Sequence, residues 1–84
     1  MEFQVTPEFL ADYEALDDAT AGCVDDTIRR LLGSHASAWA RQNRVVGEGG
    51  WAWLIAIRCP EADLALYWRE AADDSLELLL LLRH

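Results

Sequence analysis

The chain has 84 residues, 52% of them hydrophobic, and carries fifteen acidic residues against seven arginines and no lysine, for a net charge of −8. Its length predicts a single domain, 1–84, its hydrophobic content excludes a disordered chain, and no apolar run reaches the roughly 18–20 residues that span a bilayer. An acidic chain is also a poor general nucleic-acid binder, because phosphate groups are held by basic side chains.

The N-terminal part predicts a short strand followed by two helices. Residues 2–6 alternate as a strand does, Thr6 then suits a helix N-cap, and Pro7 suits the first helical position. Apolar residues follow at helical spacing in a first helix and again in a second helix over about 19–32, for which Gly33 is a natural stop. The apolar stripe of the two helices consists of Phe9, Leu10, Tyr13, Leu16, Ala21, Val24, Ile28 and Leu31. We expect an antiparallel helix hairpin over 7–33.

The C-terminal half predicts four strands connected by short turns. A strand over 42–46 precedes a glycine-rich turn, and three further apolar runs begin at Trp51, Asp63 and Leu76. The last run is nearly all leucine, which favours a helix by propensity, but it is short and follows an Asp-Asp-Ser turn. We therefore predict that the leucine-rich run is a central strand.

Alternation along the last three strands sorts their side chains into two faces, because successive residues of a strand point to opposite sides. The face expected to meet the helices comprises Trp53, Ile55, Ile57, Leu64, Leu66, Trp68, Leu76, Leu78, Leu80 and Leu82. The opposite face comprises Leu54, Ala56, Arg58, Ala65, Tyr67, Arg69, Glu77, Leu79, Leu81 and Arg83. One arginine from each strand thus falls on the second face, which indicates a site. The placement depends on register, since a slip of one residue exchanges the two faces.

The order of elements, β-α-α-β-β-β-β, indicates fold class α+β. We expect the helix hairpin to pack on one face of a mainly antiparallel sheet and to leave the other face for function or for a partner. On that second face, Leu54, Leu79 and Leu81 form an apolar patch that predicts a binding surface.

The two cysteines, Cys23 and Cys59, lie far apart in the sequence and have no metal-ligand spacing with His35 or His84. We expect two buried thiols, with a disulfide as the alternative. The residues after Met1 include no basic stretch, so no secretory signal is visible and the expected location is the cytoplasm, without membrane contact.

Four short motifs follow one another along the chain. They are the strand-to-helix stretch Thr6-Pro7-Glu8-Phe9, the hairpin from Val45-Val46 through the glycines to Trp51, the strand Leu66-Tyr67-Trp68, and the ending Asp73-Asp74-Ser75-Leu76 with Arg83-His84. In this order and spacing they resemble the RelE/ParE toxin superfamily of bacterial type II toxin–antitoxin systems. The resemblance covers nearly the whole chain, whose end looks like that of the YoeB branch, and it implies a RelE-like fold.

The resemblance implies a small toxin neutralised by a cognate antitoxin. RelE-like and YoeB-like members are endonucleases that cut mRNA on the ribosome without a metal or other cofactor. His84 stands where YoeB-like toxins carry a catalytic histidine, and Arg58 stands where the family often has a phosphate-contacting arginine. RNA cleavage by 2′-OH attack needs an acid, a base and a cation. The expected site is therefore His84 as acid or base, Arg58, Arg69 and Arg83 on the phosphate, and Tyr67 stacking a base or positioning a water.

Two alternatives stay open within the same resemblance. Ala65 or Leu66 replaces the arginine that the family carries before its Leu-Tyr segment, RelE-like lysines are absent, and only Glu48 lies near the position of the YoeB-like glutamate. These departures and the acidic charge favour a ParE-like toxin, which inhibits DNA gyrase without cutting RNA, or a degenerate domain that only binds an antitoxin. The arginines would then be solvated surface residues paired with carboxylates such as Glu77.

Overall fold

The computed structural model describes residues 2–47, 49–72 and 74–83, which form two helices and a five-stranded sheet. In chain order the elements are β1 (Phe3–Val5), α1 (Pro7–Glu14), α2 (Asp18–Ser34), β2 (Asn43–Gly47), β3 (Gly50–Arg58), β4 (Asp63–Glu70) and β5 (Leu76–Arg83). The strands lie side by side in the order β1-β5-β4-β3-β2. The α+β class is thereby confirmed. No helix in the described ranges is long and apolar enough to cross a membrane.

Both helices begin at side-chain caps, and the cap predicted at Thr6 is confirmed. The hydroxyl of Thr6 accepts a hydrogen bond from the backbone N–H of Phe9 (3.1 Å), and Pro7 follows in the first turn, where a missing N–H leaves no helical hydrogen bond unmade. Asp17 caps α2 by accepting a hydrogen bond from the backbone N–H of Thr20 (3.3 Å). These two caps set where each helix starts and hence where the helix pair sits on the sheet.

The second helix extends beyond its predicted end. It runs through Ser34, so the prediction that Gly33 stops it is wrong. A glycine ends a helix by adopting a left-handed conformation, but among the described glycines only Gly50 has a positive φ, of 104°. Gly33 therefore continues the helix, and the left-handed conformation is used in the turn between β2 and β3.

Strand β5 lies inside the sheet, between β1 and β4, so the prediction of a central leucine-rich strand is confirmed. It pairs antiparallel with β4 and parallel with β1, where Phe3 lies opposite Leu76. β1 pairs with the first three residues of β5 and β4 with nearly its whole length, and Leu76, Leu78 and Leu81 enter the core beneath the helices. These contacts explain why a helix-favouring sequence forms a strand. The β1–β5 pair makes the sheet mixed, while the other three pairs are antiparallel.

A β-bulge interrupts the pairing of β4 with β5. The register shifts between Tyr67 and Trp68, and Leu79 is the extra residue on β5. The backbone oxygen of Leu79 accepts a hydrogen bond from the Thr6 hydroxyl (2.6 Å), so the bulge is tied to the start of α1. Because a bulge adds one residue to one strand, it exchanges the two faces of β5 beyond that point.

The predicted alternation is therefore wrong for the end of β5. Leu81 is 4% exposed and packs in the core, whereas Leu82 is 44% exposed, the reverse of the expected arrangement. Arg83 lies opposite the buried Leu64 and so falls on the helix side of the sheet. The apolar patch predicted on the other face loses Leu81. On β3, on β4 and on the part of β5 that precedes the bulge, the predicted core face is confirmed. Its buried side chains are Ile55, Ile57, Leu64, Leu66, Trp68, Leu76 and Leu78.

The helices and the sheet enclose a core around Trp68, which is fully buried. Its indole N–H donates to the backbone oxygen of Ala40 (3.2 Å), so the polar end of the ring has a partner and the segment between α2 and β2 is held against the sheet. The helices contribute Phe9, Val24, Ile28 and Leu31 to this core.

The two cysteines form a disulfide bond, so the expectation of two buried thiols is wrong. Cys23 lies in α2 and Cys59 follows β3, and their Cα atoms are 5.9 Å apart, within the usual range for bridged cysteines. The packing of α2 across the end of β3 brings together two residues that are 36 positions apart in the sequence. The bond joins the helix layer covalently to the sheet.

Candidate functional site

A groove lies on the face of the sheet that the helices leave free. Its volume is about 780 Å³, and it runs from the β2–β3 hairpin across β4 and β5 to the start of α1. Its lining includes Val45, Val46 and Trp51 from the hairpin, Tyr67 and Arg69 from β4, Leu79 from the bulge, and Thr6 and Glu8 from the start of α1. The bulge thus helps to shape the groove as well as the core.

Arg69 lies in this groove and has two hydrogen-bond partners. Its Nε donates to Oε1 of Glu77 (2.8 Å), which lies directly opposite on β5, and its Nη1 donates to the backbone oxygen of Gly49 (3.3 Å) in the hairpin. Tyr67, two positions earlier on β4, shares the same face. The Glu77 carboxylate neutralises the Arg69 guanidinium, and the two hydrogen bonds fix it between β5 and the hairpin.

Arg58 shares the free face of the sheet but lies far from Arg69. It is exposed, and alternation from the buried Ile57 directs it away from the helices. Its partner across the strands is Asp63, six positions before Arg69 on β4, which corresponds to about 20 Å at roughly 3.3 Å per residue. Two guanidinium groups this far apart do not hold one phosphate. Arg58 instead borders a second, smaller cavity beside α2.

Arg83 lies on the helix side of the sheet, so the prediction that Arg58, Arg69 and Arg83 share one face is wrong. The bulge in β5 turns Arg83 toward the junction of the two helices, where it borders a small cavity together with Leu16. Its positive charge also contributes to lowering the pKa of Asp17, which caps α2. These observations agree that Arg83 is separated from the groove by the sheet.

The structure brings together Tyr67 and Arg69 from the predicted site and leaves Arg58 and Arg83 outside it. His84, the predicted acid or base, lies outside the described residues, and so does Glu48. The catalytic roles assigned from the resemblance stay predictions.

The pKa of Asp17 depends in part on the position of Arg83. Hydrogen bonds from Thr20 lower the pKa of the Asp17 carboxyl, and the charge of Arg83 adds a smaller effect in the same direction. A carboxyl with a depressed folded-state pKa stabilises the fold above its unfolded pKa of about 4, and this contribution is lost as the pH falls through the folded value. In an NMR titration we expect Arg83→Gln to raise the pKa of Asp17 and the control Arg58→Gln to leave it unchanged. An Asp17 pKa that Arg83→Gln does not move would contradict this placement of Arg83.

Sequence reasoning did not identify Thr6, Glu8 or Trp51 as site residues. Trp51 is 44% exposed, and its ring packs edge-on against Trp53 with the centroids 5.4 Å apart, while the guanidinium carbon of Arg44 lies 5.8 Å from the Trp51 ring. Because Trp53 faces the helices, the Trp51 ring lies on the helix side of the hairpin, and Trp51 borders only the end of the groove. Thr6 and Glu8 are typical of a helix start, and nothing in the sequence indicates that they also line the groove.

Comparison with protein-family models, with curated proteins and with solved structures finds no match to this chain. The RelE/ParE resemblance therefore rests on the motifs named above and stays a prediction. Within the described ranges, no group of three or more histidine, cysteine, aspartate or glutamate side chains is placed to hold a metal ion. The groove is thus characterised by its own side chains: the neutralised Arg69, the ring of Tyr67, aliphatic side chains and the carboxylate of Glu8.

Proposed function

We propose that this chain is a toxin domain of the RelE/ParE kind that acts by binding a protein target in the groove and does not cut RNA. In this proposal a cognate antitoxin neutralises the domain by binding the same face, and the domain works in the cytoplasm. The observation that carries the proposal is the separation of the arginines. Arg69 is neutralised inside the groove, Arg58 lies about 20 Å away, and Arg83 lies on the opposite face.

This arrangement lacks what RNA cleavage requires. A phosphate that gains charge in the transition state is stabilised by cations and hydrogen-bond donors that converge on its oxygens. Among the described residues, Arg69 is the only arginine that lines the groove; the Glu77 carboxylate is paired with it, and Glu8 adds a negative charge to the lining, which repels a phosphate. The net charge of −8 adds a general repulsion of nucleic acid.

The groove has the composition of a protein-binding surface. Tyr67 offers aromatic surface and Val45 and Leu79 offer aliphatic surface, while Arg69 and Glu8 supply hydrogen-bonding groups. Aromatic residues and arginine are enriched in protein interfaces. A net charge of −8 attracts basic partners at long range. The partner that fits therefore places an apolar side chain against Tyr67 and Leu79 and a basic side chain beside Glu8.

One observation supports the nuclease as a second candidate. Tyr67 and Arg69 line the same groove, so a base stacked on the tyrosine would bring a phosphate close to the arginine. In this candidate His84 supplies the acid or base, and the ribosome and mRNA are the partners. Glu77 must then release Arg69, so Glu77→Gln would increase RNA cleavage. The proposed binding function predicts no cleavage from either protein.

We expect Tyr67→Ala to relieve growth arrest in bacteria that express the chain from an inducible promoter. Tyrosine anchors at interfaces often contribute about 2 kcal/mol, which is about 30-fold in affinity. Leu10→Ala is the control, because Leu10 is 45% exposed but lies on α1 outside the groove. Growth after induction is measured for all three proteins at equal expression. Arrest that survives Tyr67→Ala, or that Leu10→Ala relieves equally, contradicts the groove as the binding site, and a harmless wild-type chain contradicts the toxin role.

A further inference from the structure

The Cys23–Cys59 bond lies beside a part of β3 that has a neighbouring strand on one side only. β2 pairs with β3 only from Gly50 to Leu54, so residues 55–58 have a strand neighbour on one side only. We call this segment the open edge of β3. The disulfide joins α2 to the residue that directly follows it. The bond is therefore the covalent link between α2 and the open edge of β3.

The bond is accessible from a surface cavity. This cavity has a volume of about 290 Å³ and is lined by Cys23 and Thr27 of α2, by Trp39 and by Arg58, among others. Cys23 is half-buried, whereas Cys59 is 9% exposed. A thiolate that enters the cavity therefore reaches the sulfur of Cys23 before that of Cys59, and it does so without unfolding the core.

We propose that Cys23–Cys59 is a site of reversible thiol–disulfide exchange whose reductant is a dithiol, and that reduction releases the open edge of β3 from α2. One thiolate of the dithiol attacks Sγ of Cys23, which forms a mixed disulfide and expels Cys59 as a thiolate. The second thiolate of the dithiol then attacks its own sulfur in the mixed disulfide and expels the Cys23 thiolate. Two electrons pass from the dithiol to the protein, the dithiol becomes a disulfide, and its two protons end on the two cysteines.

Charges around the bond favour this exchange. Arg30 lines the same cavity, and a cation near a sulfur stabilises the thiolate that leaves and later attacks. Asp26 also lines the cavity, but its carboxylate forms an ion pair with Arg29, which lies one turn further along α2. The Arg30 guanidinium, held 3.9 Å above the Trp39 ring, therefore contributes positive charge to the side of the cavity that Trp39 forms.

The packing of α2 makes the exchange reversible. Val24 and Leu31 are fully buried and Ile28 is nearly so, and all three belong to the core that α2 shares with the sheet. The reduced helix thus stays on the sheet with Cys23 close to Cys59, ready to form the bond again. The released part is the open edge of β3, whose outer side then has only non-covalent cover.

The test compares the native protein before and after treatment with dithiothreitol, without denaturant. Thiols are counted by mass after maleimide labelling, and amide hydrogen exchange is followed for residues 55–59 and 22–27. We expect no free thiol before treatment, two afterwards, recovery of the bond with oxidised glutathione, and exchange of both segments accelerated by about tenfold or more. The variant Cys23→Ala/Cys59→Ala should show the accelerated exchange of residues 55–59 and 22–27 both with and without dithiothreitol.

Three results would each overturn the proposal. Two free thiols before any treatment would mean that the bond does not form. Reduction that requires a denaturant would mean that the bond is a closed structural link. Full reduction with unchanged exchange at residues 55–59 would mean that the bond does not control the open edge of β3.

Discussion

Cys23→Ala is expected to lower the free energy of unfolding by roughly 4 kcal/mol, because it opens a covalent loop that spans 36 positions in the sequence. A cross-link stabilises a protein mainly by reducing the conformational freedom of the unfolded chain, and this effect grows slowly with the length of the loop. A domain of this size has a total stability of about 5–10 kcal/mol, so the substitution removes a large part of it. The loss is measured by urea unfolding without reductant.

Two controls distinguish the bond from ordinary packing at these sites. Cys59→Ala and the double variant Cys23→Ala/Cys59→Ala remove the same single bond, so all three variants should lose about the same free energy rather than adding up. With reductant present, the wild type should approach the variants. Losses that add in the double variant, or a wild type that reductant does not affect, would show that the bond does not provide the stability.

The second large effect is expected from a matched pair of substitutions in β5. Leu81→Ala should cost about 2–5 kcal/mol, because the side chain is 4% exposed and packs in the core, while Leu82→Ala should stay within about 0.5 kcal/mol, because Leu82 is 44% exposed. The chemical change is identical at the two neighbouring positions. The difference therefore reports the bulge at Leu79, which decides which of the two leucines faces the helices.

This pair also decides where Arg83 lies, since Arg83 follows Leu81 by two positions and shares its face. The free energies of unfolding of both variants and the wild type are compared under identical conditions. A large loss of unfolding free energy for Leu82→Ala with a small loss for Leu81→Ala would show that β5 alternates regularly, without the bulge. Arg83 would then return to the face that carries Arg69.

Local signals in the sequence predict much of the fold. Thr6 and Pro7 mark the start of α1, and the turn before Leu76 marks a strand where propensity alone favours a helix. These features depend on neighbours along the chain, so they are visible without a structure. They place the helices on one side of the sheet and Tyr67 and Arg69 on the other.

The features that were missed depend on contacts between distant parts of the chain. The bulge at Leu79 is tied to the Thr6 hydroxyl, 73 positions away in the sequence, and no glycine or proline marks it. The approach of Cys23 to Cys59 depends on how α2 crosses the end of β3. The predicted cluster of arginines was wrong for the same reason. The alternation of side chains along one strand reveals neither a bulge nor the distance between residues at opposite ends of neighbouring strands.

The most direct test of the central claim is to add the purified chain to a bacterial translation extract and to map the 5′ ends of the mRNA. We expect no new 5′ ends at any concentration of the chain, because in the described part of the structure no two arginines converge on one phosphate in the groove. New ends at defined codon positions that disappear with Arg58→Ala, in a variant with unchanged unfolding free energy, would contradict the account and establish RNA cleavage.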